Sequence, residues 1–201
     1  DEQMDRGTLT TVGGSVIAFA TTDNVAVGEQ AANYSVGKLT AGGQVAIIEG
    51  KAGNASGEAR KQGATDTFRA ATGVELVASQ PADWDRQKAL DTAASILQQY
   101  PDLDAFYCCN DTMALGALQA VKNAGKLGQV LVVGTDGAAE AIESIRAGDL
   151  TATIAQDSAE IGATSLRKMI EAVQSGAAID PEAQPETIPV EAYIVEQDTV
   201  G

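Results

Sequence analysis

The sequence predicts a doubly wound α/β fold built on a parallel β-sheet. Short runs rich in β-branched residues alternate with longer, alanine-rich segments along almost the whole 201-residue chain. The strand-like runs are nearly continuous in apolar residues, which is typical of parallel strands with helices on both faces. The units recur every ~20–30 residues, the size of a βαβ step, but they lack the mutual similarity of a solenoid.

Six runs are predicted to be strands of this sheet. In chain order they are residues 16–22, 45–49, 76–79, 105–109, 130–133 and 151–155. A further strand, 190–195, follows a polar, proline-containing stretch at 177–189. The opening residues, DEQMDRGTLTTVGGS, are typical of a loop that follows a strand. We therefore expect part of the fold to lie upstream of them.

Five segments between the strands are predicted to be helices. They are residues 56–71, 85–99, 111–123, 138–147 and 159–174. In the second of these segments, Leu90, Ala94 and Leu97 recur at helical spacing. A glycine follows the third, fourth and fifth segments, as is common just after a helix C-terminus.

Composition limits the classes of function. The formal net charge is −15, from 28 acidic and 13 basic residues, and the basic residues are scattered. The chain therefore lacks the basic patch that nucleic-acid binding requires. The absence of histidine removes Ser–His and Cys–His catalysis and the commonest metal ligand. No apolar run reaches the length of a membrane span, and no signal-peptide pattern opens the sequence.

The two cysteines, Cys108 and Cys109, are adjacent in a predicted strand. Neighbouring strand residues point to opposite faces, so this pair is poorly placed to form a disulfide with each other. Two buried apolar thiols are one interpretation. A vicinal redox pair or a site for a thiophilic metal is the alternative.

Polar side chains and the single tryptophan follow five of the predicted strands, at the point where each strand ends. In chain order these residues are Arg60, Trp84, Asn110, Asp136 and Gln156. Ligands of open α/β sheets bind at this edge. Guanidinium, carboxylate and amide groups pair well with sugar hydroxyls, and an indole packs against the apolar face of a pyranose. The pattern predicts a small-molecule site suited to a sugar.

Each of these residues also has a purely structural interpretation. Asn110 and Asp111 could cap the following helix, and Asp136 could form an Asp–Gly turn. Trp84 could be a packed surface anchor, and Arg60 a solvated helix residue. The glycine-rich loop GKAGNASG matches neither a Walker A sequence nor the dinucleotide-binding fingerprint.

Five stretches of the sequence form a recognisable set: VAIIEGKAGNASGEAR, LVASQPADWDR, YCCNDTMALGALQAV, VLVVGTDG and TATIAQ. Together they resemble the ribose/allose-type periplasmic sugar-binding proteins, over about Asp1 to Val195. The resemblance implies a non-enzymatic receptor, without cofactor or metal, that closes two lobes around one monosaccharide. It also implies delivery to the membrane permease of an ABC importer, a chemoreceptor as a further partner, a periplasmic location and a monomer when complete.

The resemblance implies sugar contacts for the five strand-end residues. Arg60 would donate to ring or hydroxyl oxygens, and Trp84 would stack on the sugar. Asn110 and Asp136 would fix hydroxyls from the C-terminal lobe. Gln156 would lie at a hinge crossing.

The resemblance also divides the chain into lobes. Residues 1–21 would be a hinge segment and a remnant of the N-terminal lobe, with Asp1 as a further hydroxyl acceptor. Residues 22–154 would form the C-terminal lobe. Residues 155–189 would be a hinge and a helix of the N-terminal lobe, and 190–201 the final C-terminal-lobe strand and tail. About a hundred further residues are then expected upstream, one domain's worth, and this chain alone is expected to bind sugar weakly or not at all.

Two other classes of function compete with the receptor. The ligand-binding domain of a sugar-responsive transcription regulator shares this fold, but ASQPADWDR and YCCNDTMALGALQAV favour the transport receptor. A glycosidase-like enzyme would need an acid–base carboxylate pair, for which Asp83, Asp85, Asp111 and Asp136 are available. No recognised catalytic spacing is present among them.

Overall fold

A computed structural model describes residues 6–176, 178, 180 and 182–200, with only the backbone of Arg6. Strands and helices alternate through this part of the chain. The elements are α1 (Arg6–Thr11), β1 (Ala18–Thr22), α2 (Asn24–Lys38), β2 (Gly43–Glu49), α3 (Ala55–Ala70), β3 (Val74–Pro81), α4 (Arg86–Gln99), β4 (Leu103–Cys108), α5 (Asp111–Asn123), β5 (Leu131–Asp136), α6 (Ala139–Arg146), β6 (Ala152–Gln156), α7 (Ser158–Ser175), β7 (Glu186–Val190) and β8 (Ala192–Glu196).

The elements belong to two compact units. The larger unit contains Asn24–Gln156 and the residues from Tyr193 onward. Its six-stranded sheet has the order β3-β2-β4-β5-β6-β8, and the four neighbouring pairs from β3 to β6 are parallel. This arrangement confirms the predicted α/β class and parallel sheet.

Helices cover both faces of this sheet. The chain moves from β2 outward to β3 and then returns past β2 to β4. Right-handed crossovers in opposite directions place their helices, α3 and α4, on opposite faces. α2 packs with α3 and α4 packs with α5, and the sheet between these layers is the core, with Val45–Ile48 fully buried. The reversal of direction creates a switch point between β2 and β4, where ligands bind in such sheets.

Glycines let the helices of each layer approach closely. A Cβ built on Gly28 of α2 would lie 2.0 Å from the carbonyl oxygen of Arg60, and one on Gly63 of α3 would lie 2.1 Å from that of Val25. A Cβ on Gly116 of α5 would lie 2.2 Å from the carbonyl oxygen of Arg86 in α4. These contacts leave no room for a side chain, so the backbones themselves form the helix–helix interfaces.

The structure differs from the sequence predictions in three elements. Helix α2 was not predicted at all, because its glycines and weak amphipathic pattern lower its helical signal. Residues Arg6–Thr11 form a short helix rather than a loop. The predicted strand 190–195 spans parts of β7 and β8, which belong to different sheets. Pro189 lies within β7, which pairs with β1 alone in the described part of the chain, and proline is tolerated in such an edge strand.

The smaller unit contains the described residues up to Asp23 together with the described part of Asp157–Ala192. Its strands β1 and β7 pair in parallel, and α7 packs on β1. The side chains of Leu166 and Met169 on α7 are exposed, and Ile161 is half-buried. No helix in the described ranges is both long and apolar enough to span a membrane.

Candidate functional site

Strand ends of the larger unit bring three of the predicted site residues into direct contact. Asp136 is the last residue of β5, and Gln156 is the last residue of β6. The side chain of Gln156 donates from Nε2 to Oδ1 of Asp136 at 2.7 Å. Arg60 in α3 donates from Nη1 to the same oxygen at 3.2 Å. One carboxylate oxygen therefore accepts bonds from both a guanidinium and an amide.

Arg60 is buried, with its side chain only 6% exposed. Its Nε donates to Oδ1 of Asn24 at 2.8 Å, and its Nη1 donates to the carbonyl oxygen of Cys109 at 2.8 Å. The solvated-residue interpretation is therefore wrong. The guanidinium hydrogen-bonds to α2, to the end of β4 and to Asp136. A buried cation needs several polar partners of this kind to offset the loss of its hydration.

Asp136 has an unusual backbone conformation. Its φ is 123°, in the region that favours glycine, and Gly137 follows with a φ of 78°. Strained backbone at a polar, partly open position is typical of ligand sites. The side chain is 36% exposed, and Oδ2 accepts no hydrogen bond from any residue that the structure describes. Burial raises the pKa of Asp136, while the nearby Arg60 guanidinium opposes the increase.

Asn110 caps helix α5, as the structural interpretation proposed. Its Oδ1 accepts from the backbone N–H of Met113 at 2.9 Å. The amide nitrogen of Asn110, which is half-buried, makes no hydrogen bond within the described residues. The cap therefore uses Oδ1, and Nδ2 lies beside the end of β4, where it can still donate a hydrogen bond.

Trp84 lies over two glycines near the end of β2. A Cβ on Gly50 would lie 2.2 Å from the indole ring, and one on Gly57 would lie 2.8 Å from it. Asp83 and Trp84 both have left-handed backbones, with φ of 54° and 64°. The half-buried ring therefore packs one side on the backbone at the switch point. Asp1, the remaining predicted contact, lies outside the described residues.

The other carboxylates named as catalytic candidates are engaged elsewhere. Asp83 pairs with Nζ of Lys88 at 2.7 Å, and Asp85 caps α4 by accepting from the N–H of the same lysine at 2.8 Å. Asp111 is only 1% exposed. Its two oxygens accept from Thr153 Oγ1 and from the N–H of Ala138, both at 2.7 Å. Asp83 and Asp85 are exposed but engaged in a surface ion pair and a helix cap, and Asp111 is buried.

Asp111 was considered as a helix cap or an acid–base candidate, and the buried position that it has in the structure was not predicted. It lies against Gly134 in β5, where a Cβ would be 2.2 Å from Oδ1. The glycine within the apolar run VLVVGTDG was the available signal, because it leaves room for a side chain from a neighbouring element. Burial raises the pKa of Asp111 to about 6 despite these hydrogen bonds.

The cysteines occupy the end of β4 and the residue after it. Both thiols are free and fully buried. Burial raises the pKa of Cys108 well above its ordinary value and that of Cys109 to about 12. A thiol is reactive and ligates metals as the thiolate, so these environments favour the interpretation as buried apolar thiols.

Comparison with known proteins gives one consistent family. A family model described as a periplasmic binding protein domain matches residues 3–178. The D-allose-binding periplasmic protein of Escherichia coli (strain K12) is 57% identical over 198 residues, covering 98% of this chain and 64% of its own length. A ribose import binding protein of Salmonella typhimurium is 40% identical over 150 residues, covering 75% of this chain and 50% of its own length.

Solved structures agree with these relatives. A periplasmic solute-binding protein of an ABC transporter from Actinobacillus succinogenes, with bound D-allose, matches with a TM-score of 0.83 and 31% identity. The match covers 100% of this chain and 69% of that protein. A Caulobacter myo-inositol binding protein bound to myo-inositol matches with a TM-score of 0.81 and 30% identity, covering 92% of this chain and 62% of that protein.

Proposed function

The chain belongs to the family of the periplasmic binding protein domain, and from this premise we propose that it is part of a receptor for an allose- or ribose-like monosaccharide. The receptor would deliver the sugar to the permease of an ABC importer and would not be an enzyme. The names of the relatives above support the sugar class. The chain spans 64% and 50% of the two curated relatives.

The observation that carries the proposal is the arrangement around Asp136. Arg60 and Gln156 hold Oδ1, which leaves Oδ2 directed to neither of them. A carboxylate oxygen accepts strongly from a sugar hydroxyl. The Arg60 guanidinium favours the ionised form that such binding needs.

Two further side chains would complete this side of the sugar. Asn110 would donate from Nδ2 to a hydroxyl oxygen, since its Oδ1 is already used by the helix cap. Trp84 would offer the part of its indole that does not contact Gly50 and Gly57 to the apolar face of the sugar ring. Arg60 would act chiefly through Asp136, because its side chain is only 6% exposed.

The lobe assignment is part of the same proposal. We assign residues 22–154 and 190–201 to a C-terminal lobe, and residues 1–21 and 155–189 to a hinge and an N-terminal lobe. The division of the described chain near Asp23, Asp157 and Ala192 supports this assignment. The periplasm as location, a monomeric state, and a chemoreceptor as a further partner belong to the same proposal.

Residue-resolved NMR tests the sugar proposal on the chain itself. D-Allose and D-ribose, titrated at millimolar concentrations, should shift the side-chain amide of Asn110, the indole N–H of Trp84 and the backbone amide of Asp136. The method detects weak binding, which is expected for a site that is enclosed on one side. Asp136→Asn should lose the shifts, whereas Asp102→Asn, in the exposed turn before β4, should keep them. Shifts scattered over the surface, or none, would overturn the proposal.

A further inference from the structure

A small network of hydrogen bonds holds the backbone just after Asp136. The N–H of Ala138 donates to Oδ2 of Asp111 at 2.7 Å. The N–H of Gly137 donates to Oγ1 of Thr153 at 3.4 Å, and that hydroxyl donates to Oδ1 of Asp111 at 2.7 Å. Both N–H groups of the turn therefore depend on the Asp111–Thr153 pair.

This pair is the internal support of the turn. Asp111 is 1% exposed and Thr153 is fully buried. Gly134 provides the space for the carboxylate of Asp111, and Gly137 approaches Ala155 so closely that a Cβ on it would lie 2.7 Å from the alanine Cβ. The turn is thus confined by Asp111 at the start of α5 and by Thr153 and Ala155 on β6.

Confinement matters because the backbone of Asp136 is strained. A φ of 123° is not a conformation that an aspartate adopts when unconstrained. If Gly137 and Ala138 lost their acceptors, the turn would relax and the carboxylate of Asp136 would rotate away from Arg60 and Gln156. The network therefore controls the direction in which Oδ2 points.

We infer that Asp111, together with Thr153, is a positioning residue that sets the orientation of the sugar-binding carboxylate of Asp136 through the N–H groups of Gly137 and Ala138. The inference rests on the proposed function. It assigns a role in affinity to two residues that a bound sugar would not touch.

Two variants of Thr153 in β6 and one control variant of Thr151, just before β6, test this role in the whole chain. Thr153→Val keeps the shape of the side chain but removes the hydroxyl, and Thr153→Ser restores it. Thr151→Val is the matched control, because Thr151 lies just before β6 and its Oγ1 accepts from the N–H of Val132 at 2.9 Å rather than from the turn after Asp136. Thermal unfolding gives the stability of each variant, and NMR titration with D-allose gives its affinity.

We expect Thr153→Val to bind D-allose about three- to tenfold more weakly than wild type, the effect of one lost hydrogen bond. Thr153→Ser should recover most of this loss. Thr151→Val should lower thermal stability and leave the affinity unchanged. Without sugar, Thr153→Val should also shift the amide signals of Asp136, Gly137 and Ala138.

Equal affinities for Thr153→Val and Thr153→Ser, or unshifted amides of the turn, would overturn the inference. If Thr153→Val does not fold, Asp111→Asn provides the same readouts. An asparagine has an NH2 group in place of one carboxylate oxygen, so its two terminal atoms cannot both accept from Thr153 and from the N–H of Ala138. Failure of the wild-type chain to show sugar-dependent shifts would instead overturn the proposed function. The amide signals of Asp136, Gly137 and Ala138 in the sugar-free variants would then still decide whether Asp111 and Thr153 hold this turn.

Discussion

Replacing Arg60 with methionine tests how strongly one buried guanidinium holds the site together. The change keeps most of the side-chain volume but removes the donors to Asn24, the Cys109 carbonyl and Asp136. Losing one partner of a buried ion pair costs about 3–5 kcal/mol. Asp136 is 36% exposed, so water offsets part of that loss, and we expect a decrease of about 3 kcal/mol in the free energy of unfolding.

Urea unfolding followed by circular dichroism measures this decrease. Arg86→Met is the matched control, because Arg86 pairs with Glu140 at 2.7 Å in a bridge whose side chains are 50% and 63% exposed. Such a surface pair contributes no more than about 1 kcal/mol. The pKa of Asp136 should rise further in Arg60→Met, since burial persists and the opposing cation is gone. Equal urea midpoints for the two variants would refute the argument.

Three other changes have defined outcomes. Gly57→Ala should displace the indole of Trp84, because the new Cβ would lie 2.8 Å from it; an unchanged tryptophan emission spectrum would contradict the packing. Burial raises the pKa of Asp111 from 3.8 to about 6, so the folded chain holds this proton more tightly than the unfolded chain does. The free energy of unfolding should therefore fall by about 3 kcal/mol between about pH 4 and pH 6. In urea titrations, the decrease of the free energy of unfolding over this pH range should be larger in wild type than in Asp111→Asn. Cys108 and Cys109, both fully buried, should react with a thiol reagent only after denaturation; rapid labelling of the native chain would contradict their burial.

The sequence predicted the bounds of an element correctly where the residues that start and end it lie within or next to that element. Helix α5 begins and ends at the predicted residues, Asp111 and Asn123, because its cap and its terminating glycine are close in sequence. Helix α2 was missed because the role of Gly28 depends on Arg60, far along the chain. A glycine lowers the helix propensity of its segment, but in the folded structure this position has no room for a side chain.

The same distinction applies to the site. The strand-end rule identified Asp136 and Gln156, which are in contact at 2.7 Å. The burial of Arg60 was not predictable, since charged helix residues are usually solvated. The role of Asp111 depends on Thr153 and on the turn after β5, which only the folded sheet brings together.

The close approach of α2 and α3 has a consequence for how this sequence can diverge. The carbonyl oxygen that excludes a side chain at Gly28 belongs to Arg60 itself, so a larger residue at that position would push the backbone that carries the guanidinium. Gly63 imposes the same restriction from the other helix, through Val25. A side chain at either position would therefore disturb the backbone around Arg60 as well as the packing of the two helices. A homologue that has lost either glycine should carry a compensating change at the helix it faces.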